Sequence, residues 1–238
     1  MKATGLNEAT DWQNATAFGL TAGFHSLDEA EIDRWKENVQ AGNLYINRGI
    51  TGAIVQRQPF GGWKRSSIGP GAKAGGPNYV NLFRVLNDRN PEGKEDYRKV
   101  FREYFSKEHD PSGLRSESNQ FRYRPCKGVL LRLAEPDPKV EALARAASET
   151  CAVPLMISRA SEESDEELAQ RLPELVDHIE FVRTTGESPG DLLLRKIARL
   201  DLNWINAPLV TNGRIELTRW MREQSVTETR HRYGNLIK

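Results

Sequence analysis

The sequence has 238 residues, of which 28% are charged and 38% hydrophobic, a size that suits one or two domains with a real core. Its 34 basic and 33 acidic residues leave a formal net charge of +1, which excludes the strong field that recruits nucleic acid or an anionic membrane. The longest apolar runs, such as 129–131, are too short for a membrane span, and no apolar signal core follows Met1, so a cytoplasmic protein is predicted.

The first section of the chain ends at about residue 80. Ser26 and Glu29 have the spacing of a capping box, and apolar residues then recur at helical spacing until Gly42, which is a suitable stop. A short strand is predicted at 43–47. The following stretch, 49–76, contains eight glycines in 28 residues, so most of it is predicted to be loop.

The second section, 81–119, is predicted to be a helical connector. Residues 94–108 have the apolar spacing of a helix, with aromatic residues on one face. This stripe could bind a partner, but docking against its own domain is the favoured interpretation. The polar and turn-rich segment 109–119 is the candidate domain boundary.

The third section, 120–238, alternates regularly between strand and helix patterns. Strands are predicted at 129–133, 153–157, 178–182 and 202–205. Helices are predicted from Asp137-Pro138 to 149, from a capping box at Ser164 to 175, from Ser188-Pro189 to 200 and from Asn212-Gly213 to 222. Residues 226–231 are a last strand or hairpin arm. This order predicts an α/β fold with a parallel sheet and helices on both faces.

The cysteines and histidines do not form a recognisable site. Cys126 and Cys151 are too few for a disulfide framework and have no obvious base nearby in sequence, so they are predicted to be ordinary thiols. The four histidines are scattered and lack metal-ligand spacing, so no metal site is predicted.

The glycine-rich loop contains the residues that best suit ligand binding. Thr51, Gly52 and Ala53 offer successive backbone N–H groups without bulky side chains, an arrangement that can bind a carboxylate. Phe60 lies between a proline and two glycines and could pack against a short aliphatic chain. From these residues alone, a plain surface loop with one buried aromatic is the favoured alternative.

A longer motif changes that preference. Gln58-Pro59-Phe60-Gly61-Gly62-Trp63-Lys64-Arg65-Ser66-Ser67 resembles the C-terminal signature of the aldehyde dehydrogenase superfamily. The wider stretch 43–79 is similar to L-glutamate γ-semialdehyde (1-pyrroline-5-carboxylate) dehydrogenases, which occur alone or within bifunctional proline-utilisation proteins. The resemblance implies that the amides of Gly52 and Ala53 bind the substrate α-carboxylate and that Phe60 packs on its aliphatic part. Lys64 is expected to be structural.

The same resemblance implies chemistry that this chain does not supply. The family uses a cysteine nucleophile, NAD as hydride acceptor and a glutamate-activated water. The residues before Gln58 contain no cysteine, so the chain is expected to be the C-terminal remnant of a longer NAD-dependent dehydrogenase and inactive alone. The turns at 134–138 and 184–190 lack a convincing phosphate-binding pattern, which predicts a Rossmann-like domain without its cofactor.

A second resemblance concerns the third section. The segments 116–119, 123–125, 213–217, 222–225 and 231–234 are similar to the C-terminal, aldehyde-dehydrogenase-like domain of the longer bifunctional proline-utilisation proteins. That resemblance implies a non-catalytic domain that packs on the dehydrogenase and helps enclose its active site.

Two functions therefore remain open for this chain. It is either a substrate-binding portion of the dehydrogenase or a structural module that packs on it. The expected partners are the rest of the dehydrogenase polypeptide and the semialdehyde, with a homo-oligomer also compatible. Phosphate or nucleic-acid binding by the loop fits its basic residues, but the neutral charge and the lack of interleaved aromatics disfavour it.

Overall fold

The structure is a computed structural model that describes residues 2–69, 71–84, 97–232 and 235–236. The chain forms two compact units. Unit 1 comprises Met1–Tyr79, Lys107–Tyr123 and Glu223–Lys238, and unit 2 comprises Val80–Ser106 and Arg124–Arg222. None of the described helices has the length and apolar character needed to cross a membrane.

The chain leaves unit 1 after Tyr79, returns to it for Lys107–Tyr123 and returns again for Glu223–Lys238. The compact units therefore differ from the predicted division at residues 80 and 119. The first elements of unit 1 are α1 (Leu6–Asn14), β1 (Phe18–Gly19), β2 (Thr21–Phe24), α2 (Glu29–Asn38), β3 (Asn43–Ile46) and β4 (Trp63–Lys64). Strand β5 (Glu117–Pro125) comes before the strands of unit 2 in the sequence. Strands β10 (Met221–Thr229), β11 (His231–Arg232) and β12 (Asn235–Leu236) come after them.

The main sheet of unit 1 has the order β2-β3-β10-β5. Strand β3 is parallel to both β2 and β10, with Leu44 opposite Ala22 on one side and Val226 on the other. One face of these strands packs against α2 through a core that includes Trp35 and Ile46. The sheet therefore joins strands separated by about 180 positions in the printed sequence, and loop closure on that scale is opposed by chain entropy.

The start of α2 differs from the predicted capping box. The N-cap is Asp28, whose side chain accepts hydrogen bonds from the N–H groups of Ala30 and Glu31. Ser26 instead donates its hydroxyl to the Glu31 carboxylate. The prediction of a Ser26–Glu29 box was wrong because an aspartate two residues later reaches the same orphan amides.

Gly42 was also assigned the wrong role. Helix α2 ends at Asn38, four residues before this glycine. A Cβ atom at Gly42 would lie 2.2 Å from the carbonyl oxygen of Gly61, so the residue is needed for close backbone packing.

The aromatic stripe of the connector packs inside unit 2. Its described part is α3 (Tyr97–Val100), which continues as a π-helical turn at Phe101–Phe105; the predicted start at residue 94 lies outside the described residues. Tyr97 donates its hydroxyl to the carbonyl of Val210, and the Arg214 guanidinium stacks 3.2 Å from the Tyr104 ring centre. The stripe is therefore used for docking within its own unit, as predicted.

The sheet of unit 2 confirms the predicted α/β class. Four parallel strands have the order β7-β6-β8-β9. They are β6 (Val129–Leu133), β7 (Leu155–Arg159), β8 (Phe181–Thr185) and β9 (Asn203–Ile205), and they alternate with α4 (Pro138–Cys151), α5 (Asp165–Leu175) and α6 (Asp191–Arg199). Right-handed connections in this order place α4 on one face and α5 with α6 on the other. Leu130 and Val182 point into the α5–α6 core.

The third predicted strand and the last predicted helix of unit 2 differ from the structure. The third strand is Phe181–Thr185 rather than 178–182, because the N–H groups of His178 and Ile179 still bond to Leu175 at the end of α5. The helix predicted from Asn212 to 222 is only α7 (Gly213–Glu216) with a short 3-10 turn at Leu217–Arg219. The chain then changes directly into β10, whose pairing with distant strands overrides the local helical pattern.

The capping predictions in unit 2 had different outcomes. The Ser164–Glu167 box at the start of α5 is confirmed, with both reciprocal hydrogen bonds present. Helix α6, however, begins at Asp191 with Gly190 as N-cap, so a start at Ser188-Pro189 was wrong. The N–H of Gly190 is held by the Asp165 carboxylate at 2.7 Å, which fixes this later start.

Candidate functional site

The loop that follows β3 leaves the sheet at a fixed point. Asn47 has a φ of 57°, and its side-chain amide bonds to both the N–H and the carbonyl of Ser26, at 3.1 and 2.8 Å. Asparagine tolerates this left-handed conformation better than most residues. The exit direction of the loop is therefore set before Gly49.

The three predicted site residues all lie on this loop. Gly52 and Ala53 are exposed, and Gly52 has a φ of 82°, a conformation that favours glycine. Among the described residues, no acceptor is found for the backbone N–H of Gly52 or Ala53. Phe60 keeps 37% of its surface exposed. The loop thus presents two open amides and one partly open aromatic ring.

A tight turn connects the two parts of the loop. The N–H groups of Arg57 and Gln58 both bond to the Ile54 carbonyl, at 3.2 and 2.9 Å. The Gln58 side chain accepts in return from the Ile54 N–H at 3.0 Å. These hydrogen bonds close the turn between Ile54 and Gln58.

The base of the loop is bound to buried polar side chains of the sheet. Gln58 donates its side-chain amide to the Asn119 side chain at 3.1 Å, and the Ser225 hydroxyl donates to the Pro59 carbonyl at 2.5 Å. Phe60 forms both backbone hydrogen bonds of an antiparallel bridge with Ala74, each 3.0 Å long. The Phe60 backbone is therefore fixed while its ring remains partly exposed.

Lys73 and Glu223 lie at the centre of a polar layer formed by the buried polar side chains at the base of the loop. The Lys73 ammonium donates to the Asn43 side chain at 2.9 Å and to the Gly61 carbonyl. The backbone N–H of Lys73 donates to the Glu223 carboxylate at 2.7 Å, and Asn78 donates to its other oxygen at 2.8 Å. These contacts connect the signature segment with β3 and β10.

Burial shifts the ionisation of both groups. It lowers the pKa of Lys73 to about 7, although the nearby Glu223 carboxylate opposes the shift. It also raises the pKa of Glu223, against the hydrogen bonds from Lys73 and Asn78. The cause is the loss of water around each charge.

The pH dependence of the stability of Lys73→Met, compared with that of the wild type, tests the lowered pKa of Lys73. A lysine whose folded pKa is lowered contributes stability above its unfolded pKa of about 10.5 and loses it as pH falls towards about 7. The stability of the wild type relative to Lys73→Met should therefore increase between pH 7 and pH 9, by on the order of 2 kcal/mol. Urea unfolding of both proteins at each pH measures this difference. A difference that does not change with pH would contradict the shift.

Sequence reasoning did not find the residues that support the loop, namely Asn43, Lys73, Asn119, Glu223 and Ser225. Asn119, Glu223 and Ser225 do lie in segments that resembled the C-terminal domain, but nothing local shows that they face the loop. Lys64 has the structural role predicted for it. Its ammonium donates to the carbonyls of Asn14 and Thr16, at 2.6 and 3.0 Å.

In unit 2, carboxylates occupy the helix starts at the carboxyl edge of the sheet. Asp137 accepts from the N–H groups of Lys139 and Val140 at the start of α4, at 3.0 and 3.1 Å. Asp165 accepts from the Gly190 N–H at the start of α6 and also pairs with Arg132 at 2.8 Å. These are the positions at which a Rossmann-like fold binds phosphate.

The two cysteines do not have the environment of a nucleophile. Both are buried, and burial raises the pKa of Cys151 to about 12 and that of Cys126 well above its ordinary value. A thiol in this state has almost no thiolate at neutral pH.

Comparison with known proteins identifies the first part of the chain. Residues 1–86 match the aldehyde dehydrogenase family. The segment is 46% identical over 81 residues to the 1-pyrroline-5-carboxylate dehydrogenase of Geobacillus sp. (strain WCH70), an overlap of 34% of this chain and 15% of the relative. The resemblance seen in the signature segment is confirmed.

A second relative extends the similarity beyond the aldehyde dehydrogenase segment. The chain is 37% identical over 134 residues to the Bifunctional protein PutA of Rhizobium meliloti, which is 56% of this chain and 11% of that protein. The solved structure of Proline Utilization A (PutA) from Corynebacterium freiburgense matches 99% of this chain with 38% identity and a TM-score of 0.79. The match covers 25% of the PutA chain. This chain therefore spans at most a quarter of the length of these relatives.

Proposed function

We propose that unit 1 supplies the substrate-carboxylate loop of an NAD-dependent L-glutamate γ-semialdehyde dehydrogenase that acts in proline catabolism. The observation that carries the proposal is the pair of open amides at Gly52 and Ala53 on the same loop as a Phe60 whose backbone is fixed. The name of the Geobacillus relative, 1-pyrroline-5-carboxylate dehydrogenase, supports the same substrate. The protein is proposed to be cytoplasmic.

Each of the three residues has a separate task in this proposal. The amides of Gly52 and Ala53 donate to the α-carboxylate of the semialdehyde, and Gly52 supplies the left-handed backbone between them that glycine favours. Phe60 packs on the methylene groups between the carboxylate and the aldehyde. The rest of the dehydrogenase polypeptide provides the nucleophile, so this loop contributes binding and orientation.

A second role is proposed for unit 2, that of a non-catalytic structural module. Its helix starts do not fit the pyrophosphate of NAD, because Asp137 and Asp165 already accept from the amides that would receive it. A carboxylate at each start also repels a phosphate group. We therefore assign NAD to the remainder of the dehydrogenase rather than to this unit.

Binding of L-glutamate, the product of the proposed reaction, tests the loop directly. In the ¹⁵N-labelled chain we expect saturable shifts of the Gly52 and Ala53 amide resonances, with a dissociation constant on the order of 10 mM because the rest of the pocket is not present. Ala53→Pro removes one of the two donors and should weaken binding about tenfold, the value of one charge-assisted hydrogen bond.

The control ligand is 4-aminobutyrate, which lacks the α-carboxylate of glutamate but keeps its aliphatic chain and its side-chain carboxylate. The control variant is Ala3→Pro, which carries the same change far from the loop in sequence. Equal shifts with both ligands, or no shift at Gly52 and Ala53 with glutamate, would refute the proposed carboxylate site.

A further inference from the structure

One carboxylate pairs with arginines on both sides of the Gly52 and Ala53 amides of the candidate substrate loop. Arg48 precedes the loop and its Nη1 atom lies 3.0 Å from Glu117 Oε2. Arg57 follows Ala53 within the loop, and its Nη1 atom lies 3.6 Å from Glu117 Oε1. The eight residues between these arginines include Gly52 and Ala53. Glu117 thus closes the loop at its base.

The carboxylate is itself held in position by the sheet. Glu117 is the first residue of β5 and retains only 18% of its side-chain exposure. The side-chain amide of Asn119 donates to Glu117 Oε1 at 3.0 Å, and the oxygen of the same amide accepts from Gln58. One short segment of β5 therefore contacts the loop base through three side chains, those of Arg48, Arg57 and Gln58.

The arrangement has both an entropic and an electrostatic consequence. A loop whose two ends share one partner has fewer open conformations, so less order must be gained when an anion binds. The two arginines that flank Gly52 and Ala53 in the sequence also attract a carboxylate, and Glu117 offsets one of these two positive charges. The pairs are partly exposed, with 45% exposure at Arg57, so salt screens them.

We propose that Glu117 is a positioning residue that, through Arg48 and Arg57, holds the amides of Gly52 and Ala53 ready for an anionic substrate. The proposal rests on the function assigned to unit 1 for its ligand, but the effect on loop order does not depend on that function. The residue lies about 65 positions downstream in the sequence, on a strand outside the aldehyde dehydrogenase match at residues 1–86.

Backbone ¹⁵N relaxation of the complete 238-residue chain tests the proposal, with Glu117→Gln as the variant. In the wild type we expect backbone N–H order parameters of about 0.85 at Gly52 and Ala53. In the variant they should fall below about 0.6. The dissociation constant for L-glutamate should rise about fivefold. In about 0.5 M NaCl the wild-type loop should approach the mobility of the variant, which loss of packing alone would not produce.

The matched control is Glu37→Gln, which removes a carboxylate from the ion pair with Arg122 in the same unit. It should leave the order parameters of Gly52 and Ala53 unchanged. If Glu117→Gln does not fold, Arg57→Gln removes one of the two pairs at a half-exposed side chain and should give a smaller loosening.

The outcomes separate this inference from the proposed function. Unchanged order parameters in folded Glu117→Gln and Arg57→Gln overturn the positioning role, whether or not glutamate binds. Loosening of the loop together with no glutamate-induced shift in the wild type supports the positioning of the amides and refutes only the assigned ligand.

Discussion

Glu216→Ala is expected to lower the free energy of unfolding by about 3 to 5 kcal/mol, because it breaks a buried ion-pair network from one side. The Glu216 carboxylate is fully buried and accepts from Arg183, from the Trp220 indole at 2.9 Å, from the Val210 N–H at 3.1 Å and from Arg219 at 3.4 Å. The substitution leaves the fully buried Arg183 guanidinium without its carboxylate partner. Urea unfolding followed by circular dichroism measures the loss.

Two comparisons show whether burial causes this effect. Glu141→Ala removes a carboxylate that pairs with Arg145 and Arg159 near the surface, and it should cost less than about 1 kcal/mol. The double change Arg183→Leu with Glu216→Leu should cost less than Glu216→Ala alone, since the fully buried Arg183 charge is no longer left without its carboxylate partner. Equal losses for Glu216→Ala and Glu141→Ala would show that the network contributes no more than a surface pair.

Gly42→Ala is expected to destabilise unit 1 by about 1 to 3 kcal/mol and to disturb the signature segment. The added Cβ atom would lie 2.2 Å from the Gly61 carbonyl oxygen and 2.9 Å from the Gly62 Cα atom. Both neighbours are backbone atoms, so they cannot move aside by a side-chain rotation. The Gly61 carbonyl also accepts from Lys73 and Asn43, so the shift should spread into the polar layer.

Gly49→Ala is the matched control for this change. It adds the same methyl group to a nearby glycine, but a Cβ atom there meets no atom within 4 Å. Its effect on the free energy of unfolding should stay within about 0.5 kcal/mol. Thermal or urea unfolding of the two variants decides between close packing and a general intolerance of side chains. If Gly42→Ala is as mild as Gly49→Ala, the close packing of this segment is not important for stability.

Local sequence patterns predicted the elements that are stabilised by interactions between residues close together in the chain. The Ser164–Glu167 box and the Asp137-Pro138 start both act within one helical turn, and both helices begin where these residues indicate. The alternation of strands and helices gave the parallel sheet of unit 2, because a parallel pair requires a crossover of that length. The start of α6 was misplaced because Asp165, which binds Gly190, lies 25 residues away.

The candidate site was predictable only in its exposed part. Gly52, Ala53 and Phe60 were indicated by a resemblance carried by their own segment, while their roles as ligand contacts stay a prediction. The side chains that position them could not be inferred in this way. Glu117, Asn119 and Glu223 are polar residues of a kind that is normally exposed, and only the fold turns them towards the loop.

The sequence by itself determined the resemblance of the first section to aldehyde dehydrogenases, the α/β class of unit 2 and the helices with strong caps, because each depends on residues close together in the chain. The tertiary structure decided that β10 lies between β3 and β5 in unit 1. Strand pairing uses backbone hydrogen bonds that almost every residue can make, so the choice of partner depends on burial and chain closure over the whole fold. For the same reason, only the tertiary structure could place a downstream carboxylate, Glu117, at the base of the candidate substrate loop.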